Sequence, residues 1–327
     1  MTADIKQEII SMVGQDLEQV EQALEDNLTP NLDLVKEVAS HLLFAGGKRL
    51  RPLLMIHAAR MCGYNSGYEI LFSTIFEYLH AATLLHDDVV DGADMRRGKQ
   101  AAHTLWDAPK VVLTGDFLLA TALKIAAKTE SPRVISVIAD ITAAMSQGEI
   151  DQMEKKGNPE LTENEYNEII ERKTAVLIRG ACQSGAIVSG ASDDKETALR
   201  EYGYHLGMAF QMADDLLDYT ATAEELGKNP GADMREGKLT LPLIYSLEKA
   251  GADERKWILS AMADSEFDPV RFAELKEKLT RLGGIAYTQE RAVTHVKKAK
   301  AALEVFEPSE SKRLLNLIAD YSIQRKV

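Results

Sequence analysis

Two stretches, LLHDDVVD at the start of LLHDDVVDGADMRRG (residues 84–98) and FQMADDLLDY at residues 210–219, set three aspartates each into otherwise mostly apolar runs. Asp87 and Asp91 share one helical face a turn apart, and Asp88 reaches Asp91 across the same turn. Asp214, Asp215 and Asp218 repeat the pattern. One such cluster reads equally well as a solvated, salt-bridged helix end. Two of them, each interrupting a face that should be buried, are hard to explain as surface decoration. If the two helices face each other, these carboxylates line the mouth of one cavity and repel one another unless hard dications shared with a polyphosphate neutralise them. Arg96 and Arg97, beside the first cluster, offer planar forks suited to phosphate oxygens.

The rest of the chain supplies helices. Ile5, Ile9, Ile10, Val13, Leu17, Val20 and Leu24 recur at helical spacing over residues 3–26. A second helix starts near Asn31 and stops at Gly46–Gly47. Lys48, Arg49, Arg51 and Pro52 follow, so GGKRLRP offers amides and cations to a phosphate, or is simply a solvated basic helix start. Further helices are expected at 53–61, at 68–91, at 110–127 with an interruption at Gly115–Asp116, and at 133–154. Thr162 with Glu165 is a capping-box signature opening a helix through ERKTAVLIRGACQSGAIVSG, and residues 193–219 form the next. Residues 220–241 read as a polar loop, followed by helices at about 242–250, 253–263, 269–281, 284–303 and 309–324. No segment alternates convincingly as a strand would. The expectation is an all-α fold: one helical-bundle domain, residues 1–327, around a central cavity.

A net charge of −13 makes nucleic acid an unsuitable partner. The N-terminus lacks a basic leader and an apolar core, and no apolar run is long enough to span a membrane, so a soluble, cytoplasmic protein is expected. Cys62 and Cys182, isolated in partly apolar helices, suit a reducing compartment as small core residues. The cations available to a cavity are Lys48, Arg51, Arg96, Arg97, Lys173 and Lys238. Lys173, in an apolar helix, and Lys238, in REGKLTLP, either face the acid clusters or snorkel to water. His86 beside Asp87 is a base or a packing residue. Neither zinc-binding spacing nor a phosphate loop is present. The set suits ionisation of a diphosphate: metals and cations stabilise the departing group while apolar walls shelter a carbocation from water.

The motifs GGKRLRP, LLHDDVVDGADMRRG, GD at 115–116, KTA at 173–175, FQMADDLLD and GKLTLP together resemble those of trans-type polyprenyl diphosphate synthases, in particular long-chain, octaprenyl diphosphate synthase-like members, over nearly the full length. The resemblance implies an isoprenoid-synthase bundle and repeated head-to-tail condensation of isopentenyl diphosphate onto an allylic diphosphate such as farnesyl or geranyl diphosphate. It implies Mg2+, about three ions with the allylic diphosphate bound, held by Asp87, Asp91 and Asp214 with Asp88, Asp215 and Asp218 in support. Arg96, Lys173, Gln211 and Lys238 would hold the allylic diphosphate, and Lys48, Arg51, His80 and Arg97 the homoallylic one. Thr174 and Gln211 would support developing charge. A homodimer, and transient membrane contact for product release, are carried over in the same way. A terpene cyclase or a noncatalytic partner subunit are the rivals; the first has less need of GGKRLRP and His80, and the second should have lost an acid cluster.

Product length is legible in outline. Ala82 and Thr83, about one turn before Asp87, are small, where a Phe or Tyr in the resembling family closes the pocket after about three isoprene units. Phe76 and Leu79 are candidates for its floor, and the resemblance adds Leu123 across the cavity, where longer-chain members of the family often carry a bulky floor residue. Eight extended units need about 40 Å, and a helix over 68–91, at about 1.5 Å per residue, lines most of that. The expected product has about 35 to 50 carbons, with about 40 favoured, of the kind used in quinone side chains; farnesyl or geranylgeranyl length is the alternative.

Overall fold

The computed structural model describes residues 2–221, 231–262 and 269–324. Helix α1 (Thr2–Asn27) turns Val13, Val20 and Leu24 inward, as its periodicity requires. α2 (Asp33–Leu43) ends before the left-handed Gly46. α3 (Leu50–Met61) starts earlier than expected because Arg49, at φ 46, forms its N-cap, so Pro52 falls in the first turn where no amide partner is lost. That strained backbone is held by what the buried Arg49 side chain touches. It donates to Glu21 of α1, to Glu77 at 2.7 Å and to the Leu43 carbonyl at 2.7 Å.

α4 (Tyr68–Asp91) and α10 (Asp193–Thr220) carry the acid clusters near their C-terminal ends. Between them lie α3 and α9 (Val176–Val188), which pack on each other. α6 (Ala108–Ala127) covers α4, after a short α5 (Ala102–Leu105), while α7 (Pro132–Lys155) lies against α9. α8 (Glu163–Ile170) begins at the expected capping box, which has both of its hydrogen bonds. Beyond α10 come α11 (Ala232–Arg235), α12 (Leu241–Lys249), α13 (Ala252–Met262) and α14 (Pro269–Arg281). α15 (Gly284–Ala302) packs along α10, and α16 (Glu310–Gln324) closes against α1 and α3. The apolar side chains form three cores: one around α4 and α6, one around the end of α10 and α12–α15, and one among α3, α9, α10 and α16. Burial raises the thiol pKa of both cysteines, that of Cys62 to about 11, in keeping with inert packing residues. Among the described residues no helix is long and apolar enough to cross a membrane.

Besides the earlier start of α3 and the short α11 inside the expected 220–241 loop, the structure departs from the sequence expectation in three places. β1 (Met95–Arg96) and β2 (Lys99–Gln100) make a minimal antiparallel hairpin. Its two turn residues, Arg97 at φ 51 and Gly98 at φ 74, both take the positive φ that such tight turns need. Helix continuity from residue 163 to 188 is broken by a π-helical turn, Glu171–Ala175. α6 runs unbroken through Gly115. A Cβ there would strike the His86 imidazole, so the glycine is the condition for α4 and α6 to approach rather than a break. His86 Nε2 lies 3.0 Å from the Val112 carbonyl oxygen, which makes it the packing residue of the two readings. Gly115→Ala is expected to keep the helical circular dichroism while lowering stability to urea by about 1–3 kcal/mol, the usual effect of overpacking.

Candidate active site

α4 and α10 bring Asp87, Asp91, Asp214 and Asp215 to the wall of one cavity of about 350 Å3. Its polar rim also holds Arg51, His80, Arg96, Lys173, Thr174, Gln211 and Lys238, so most of the residues picked from the sequence converge on one space. The apolar part of the wall is formed by Leu84, Met145, Ile169, Ile170, Phe210 and Leu239. Along α4 the cavity-facing residues are His80, Thr83, Leu84, Asp87 and Asp91, one helical face.

Arg96, Lys173 and Lys238 are each tied to a carboxylate. Arg96 donates its Nε to Asp88 Oδ1 at 2.7 Å, and the hairpin thereby folds back onto α4. Lys173 Nζ is 2.5 Å from Glu149 Oε2 of α7. That contact depends on Gly148, where a Cβ would meet the Arg172 Cβ at 2.7 Å, so α7 can lie directly on the π turn. Lys238 Nζ stands 2.7 Å from Glu236 and 3.7 Å from Asp91. Burial works against its charge, but Glu236 and Asp91 more than offset it and hold the ammonium pKa above its usual value. Arg51 has its Nε buried without a hydrogen-bond partner, a donor facing a space suited to an anion. Burial, then the Arg51, Arg97 and Arg96 charges, hold His80 well below its usual pKa, so its imidazole is neutral.

Not every picked residue belongs to the cavity. Asp88 is 1% exposed and serves Arg96. Asp218 is turned away: its oxygens accept from the backbone amides of Ala232 at 3.2 Å and Asp233 at 3.1 Å, so it caps α11. Lys48 lies over the Tyr321 ring, 5.7 Å from its centroid, beside a separate apolar pocket, and Arg97 donates to the Gly46 carbonyl. Ala82, Phe76 and Leu79 are buried in the α4 core rather than on the cavity wall. Leu123, expected across the cavity, is 42% exposed on the outer face of α6, because Leu118, Ala122 and Ile125 take the inner one. The sequence reading missed Glu149, Gln152, Tyr166 and Asp233, which are in or beside the cavity. The Gly148 step before Glu149 and the capping box before Tyr166 were the available signals.

Asp87 is the electrostatic centre. Burial, then Glu149 and Asp91, push its pKa up to about 6, and burial with Asp233 raises that of Asp215. Buried oxygen donors at this negative density suit a hard cation such as Mg2+, and the buried Asp88 Oδ2 and Glu149 Oε1 have no hydrogen-bond partner. Among the described residues no three carboxylate, histidine or cysteine groups can close round an ion by themselves, so an ion here needs ligand oxygens from a bound phosphate or water as well. Because Asp87 has a folded pKa above its ordinary value, the folded protein binds the extra proton, and stability from this group falls as pH rises from about 4 to about 6. Asp87→Asn should therefore raise the melting temperature of the ligand-free protein by about 2 °C or more near pH 8, and by less near pH 5, in paired thermal melts.

The chain as a whole is similar to known proteins. Residues 32–279 match the family described as Polyprenyl synthetase. The chain is 36% identical to the octaprenyl diphosphate synthase of Haemophilus influenzae, over 97% of this chain and 96% of that protein. It is also 36% identical to the geranylgeranyl diphosphate synthase of Methanosarcina mazei, over 89% of each. A polyprenyl synthase of Caulobacter crescentus, crystallised with calcium and isoprenyl diphosphate, superposes with a TM-score of 0.91 at 37% identity, covering 98% of this chain and 97% of that one.

Proposed function

Since the chain belongs to the polyprenyl synthetase family and is a prenyltransferase, we propose that it makes a long all-trans polyprenyl diphosphate, of about 35 to 50 carbons with about 40 favoured, for quinone side chains. The observation that carries this is the joint lining of one cavity by Asp87, Asp91, Asp214 and the cations Arg51, Arg96, Lys173 and Lys238. Asp87, Asp91 and Asp214 would hold Mg2+, with the allylic diphosphate completing its oxygen ligands. The metal, when bound, supplies positive charge to the departing diphosphate as the allylic C1–O bond breaks. Arg96, Lys173, Gln211 and Lys238 bind that diphosphate, with Lys173 and Lys238 exchanging Glu149 and Glu236 for phosphate oxygens. Arg51 and His80 on the cavity wall orient isopentenyl diphosphate, and Arg97 and Lys48 join its phosphates only by leaving the Gly46 carbonyl and the Tyr321 ring. Its double-bond electrons form the new C–C bond to C1, and the proton then lost goes to the released diphosphate. Thr174 and Gln211 face the developing charge, and Leu84, Met145 and Phe210 keep water from the cation.

Two further parts of the reading rest on surface and cavity shape. α6 and α7 carry an exposed apolar stripe including Leu113 (67%), Leu123 and Ile150 (54%), which supports pairing of two copies through these helices. The small Thr83 on the cavity wall, with Ala82 behind it, supports a long product. The geranylgeranyl-forming relative keeps a shorter product as the second reading.

Reversed-phase chromatography of dephosphorylated products from farnesyl and isopentenyl diphosphates should give a ladder ending near about 40 carbons. Thr83→Phe should end it at about 15 to 20, since a ring there fills the wall facing the growing chain, and Ala82→Phe should do so with a loss of stability. A wild-type product of about 15 carbons overturns the long-chain reading while leaving the reaction class intact. The two diphosphate sites separate kinetically: Arg51→Ala should raise the KM for isopentenyl diphosphate about tenfold or more, whereas Lys238→Ala should chiefly lower kcat. Equal effects of both on both substrates overturn the division.

A further inference from the structure

One buried hydrogen-bond chain reaches the second acid cluster from outside it. The capping box fixes the first turn of α8: Glu165 Oε2 accepts from the Thr162 amide at 2.9 Å, and the Tyr166 amide donates to the Thr162 carbonyl at 3.0 Å. Tyr166, 3% exposed, thereby points across to α10, where its hydroxyl donates to Asp215 Oδ2 at 2.5 Å. The other oxygen, Asp215 Oδ1, accepts from Gln211 Nε2 at 2.8 Å, and Gln211 Oε1 accepts from Thr174 Oγ1 at 2.7 Å. Donor and acceptor roles converge on Asp215 from both sides. The carboxylate accepts twice, which turns the Gln211 amide nitrogen toward it and leaves the amide oxygen for the Thr174 hydroxyl. Tyr166, Thr174, Gln211, Asp214 and Asp215 all border the cavity.

We propose that Tyr166 is a positioning residue for the condensation: by holding Asp215 it fixes the Gln211 amide, the Thr174 hydroxyl and the neighbouring Asp214 in the geometry the allylic diphosphate and its metal require. This rests on the function proposed above. Phenylalanine at position 166 would fill the same space but leave a buried carboxylate with one donor fewer, free to swing and draw Gln211 with it. The capping box is then the element that aims the hydroxyl.

The test compares wild type, Tyr166→Phe, Asp215→Asn and the double variant in two measurements. The first is steady-state condensation. The second needs no turnover: the rise in melting temperature produced by inorganic pyrophosphate as Mg2+ is titrated. Tyr166→Phe should keep its circular dichroism, lose about tenfold in kcat with the KM for isopentenyl diphosphate within about twofold, and need several-fold more Mg2+ for the pyrophosphate shift. The double variant should be no worse than Asp215→Asn alone. Wild-type kcat and Mg2+ titration in Tyr166→Phe overturn the proposal, as do losses that multiply in the double variant, or a lower melting temperature with both readouts unchanged. If wild type itself elongates nothing, the functional reading fails, and the pyrophosphate titration alone decides on Tyr166.

Discussion

Negative charge at the C-terminal ends of two long helices is the constraint around which the molecule is arranged. The backbone dipoles already place about half a negative charge at such an end, so aspartates in the last turns of α4 and α10 are opposed by their own helices. The remaining elements respond to that charge. The hairpin returns Arg96 to Asp88, the segment after α11 brings Lys238 to Asp91, and the amides at the start of α11 take Asp218. These contacts absorb part of the charge and leave Asp87 and Asp215 with raised pKa values.

Because Lys173, Lys238 and Arg96 each hold a carboxylate already, the cavity presents internal ion pairs rather than an open basic patch, and on the function proposed above a diphosphate enters by exchanging them. The displaced carboxylates stay in the buried space, so an entering anion adds to its negative charge and has to bring cations with it, since an uncompensated buried charge costs several kcal/mol. The close seating of α7 on the π turn at Gly148 sets the Lys173 pair, because a larger residue would hold Glu149 away from Lys173.

The helical architecture was legible because apolar periodicity, caps and glycine stops all agree, and the chain has few competing signals. The cavity was legible through residues whose chemistry is costly in the place they occupy: aspartates on buried faces, a lysine in an apolar helix. What escaped was whatever depends on contact between elements. Gly115 looks like a helix break in one dimension and is a packing notch in three. Asp218 is spaced like a ligand, but the amides that claim it belong to a segment beyond α10. Leu123 faces outward because helical phase is set by its neighbours Leu118, Ala122 and Ile125, which a floor assignment carried over from family likeness did not weigh. The hairpin at Arg97–Gly98 is too short for any alternation to register.

The π turn at Glu171–Ala175 adds one residue to what would otherwise be a continuous helix, and the added residue acts as a phase shift. Before it, Tyr166, Ile169 and Ile170 belong to the core at the end of α10; after it, Val176, Leu177 and Ala181 belong to the core around α4. A single rod of helix therefore changes allegiance between two packing territories at the point where Lys173 and Thr174 emerge. The cavity is the seam between those territories, and a one-residue deletion in the turn would rotate everything beyond it by about 100°. The small residue count of the turn thus works as a registration mark that keeps both halves of the bundle in phase with the same opening.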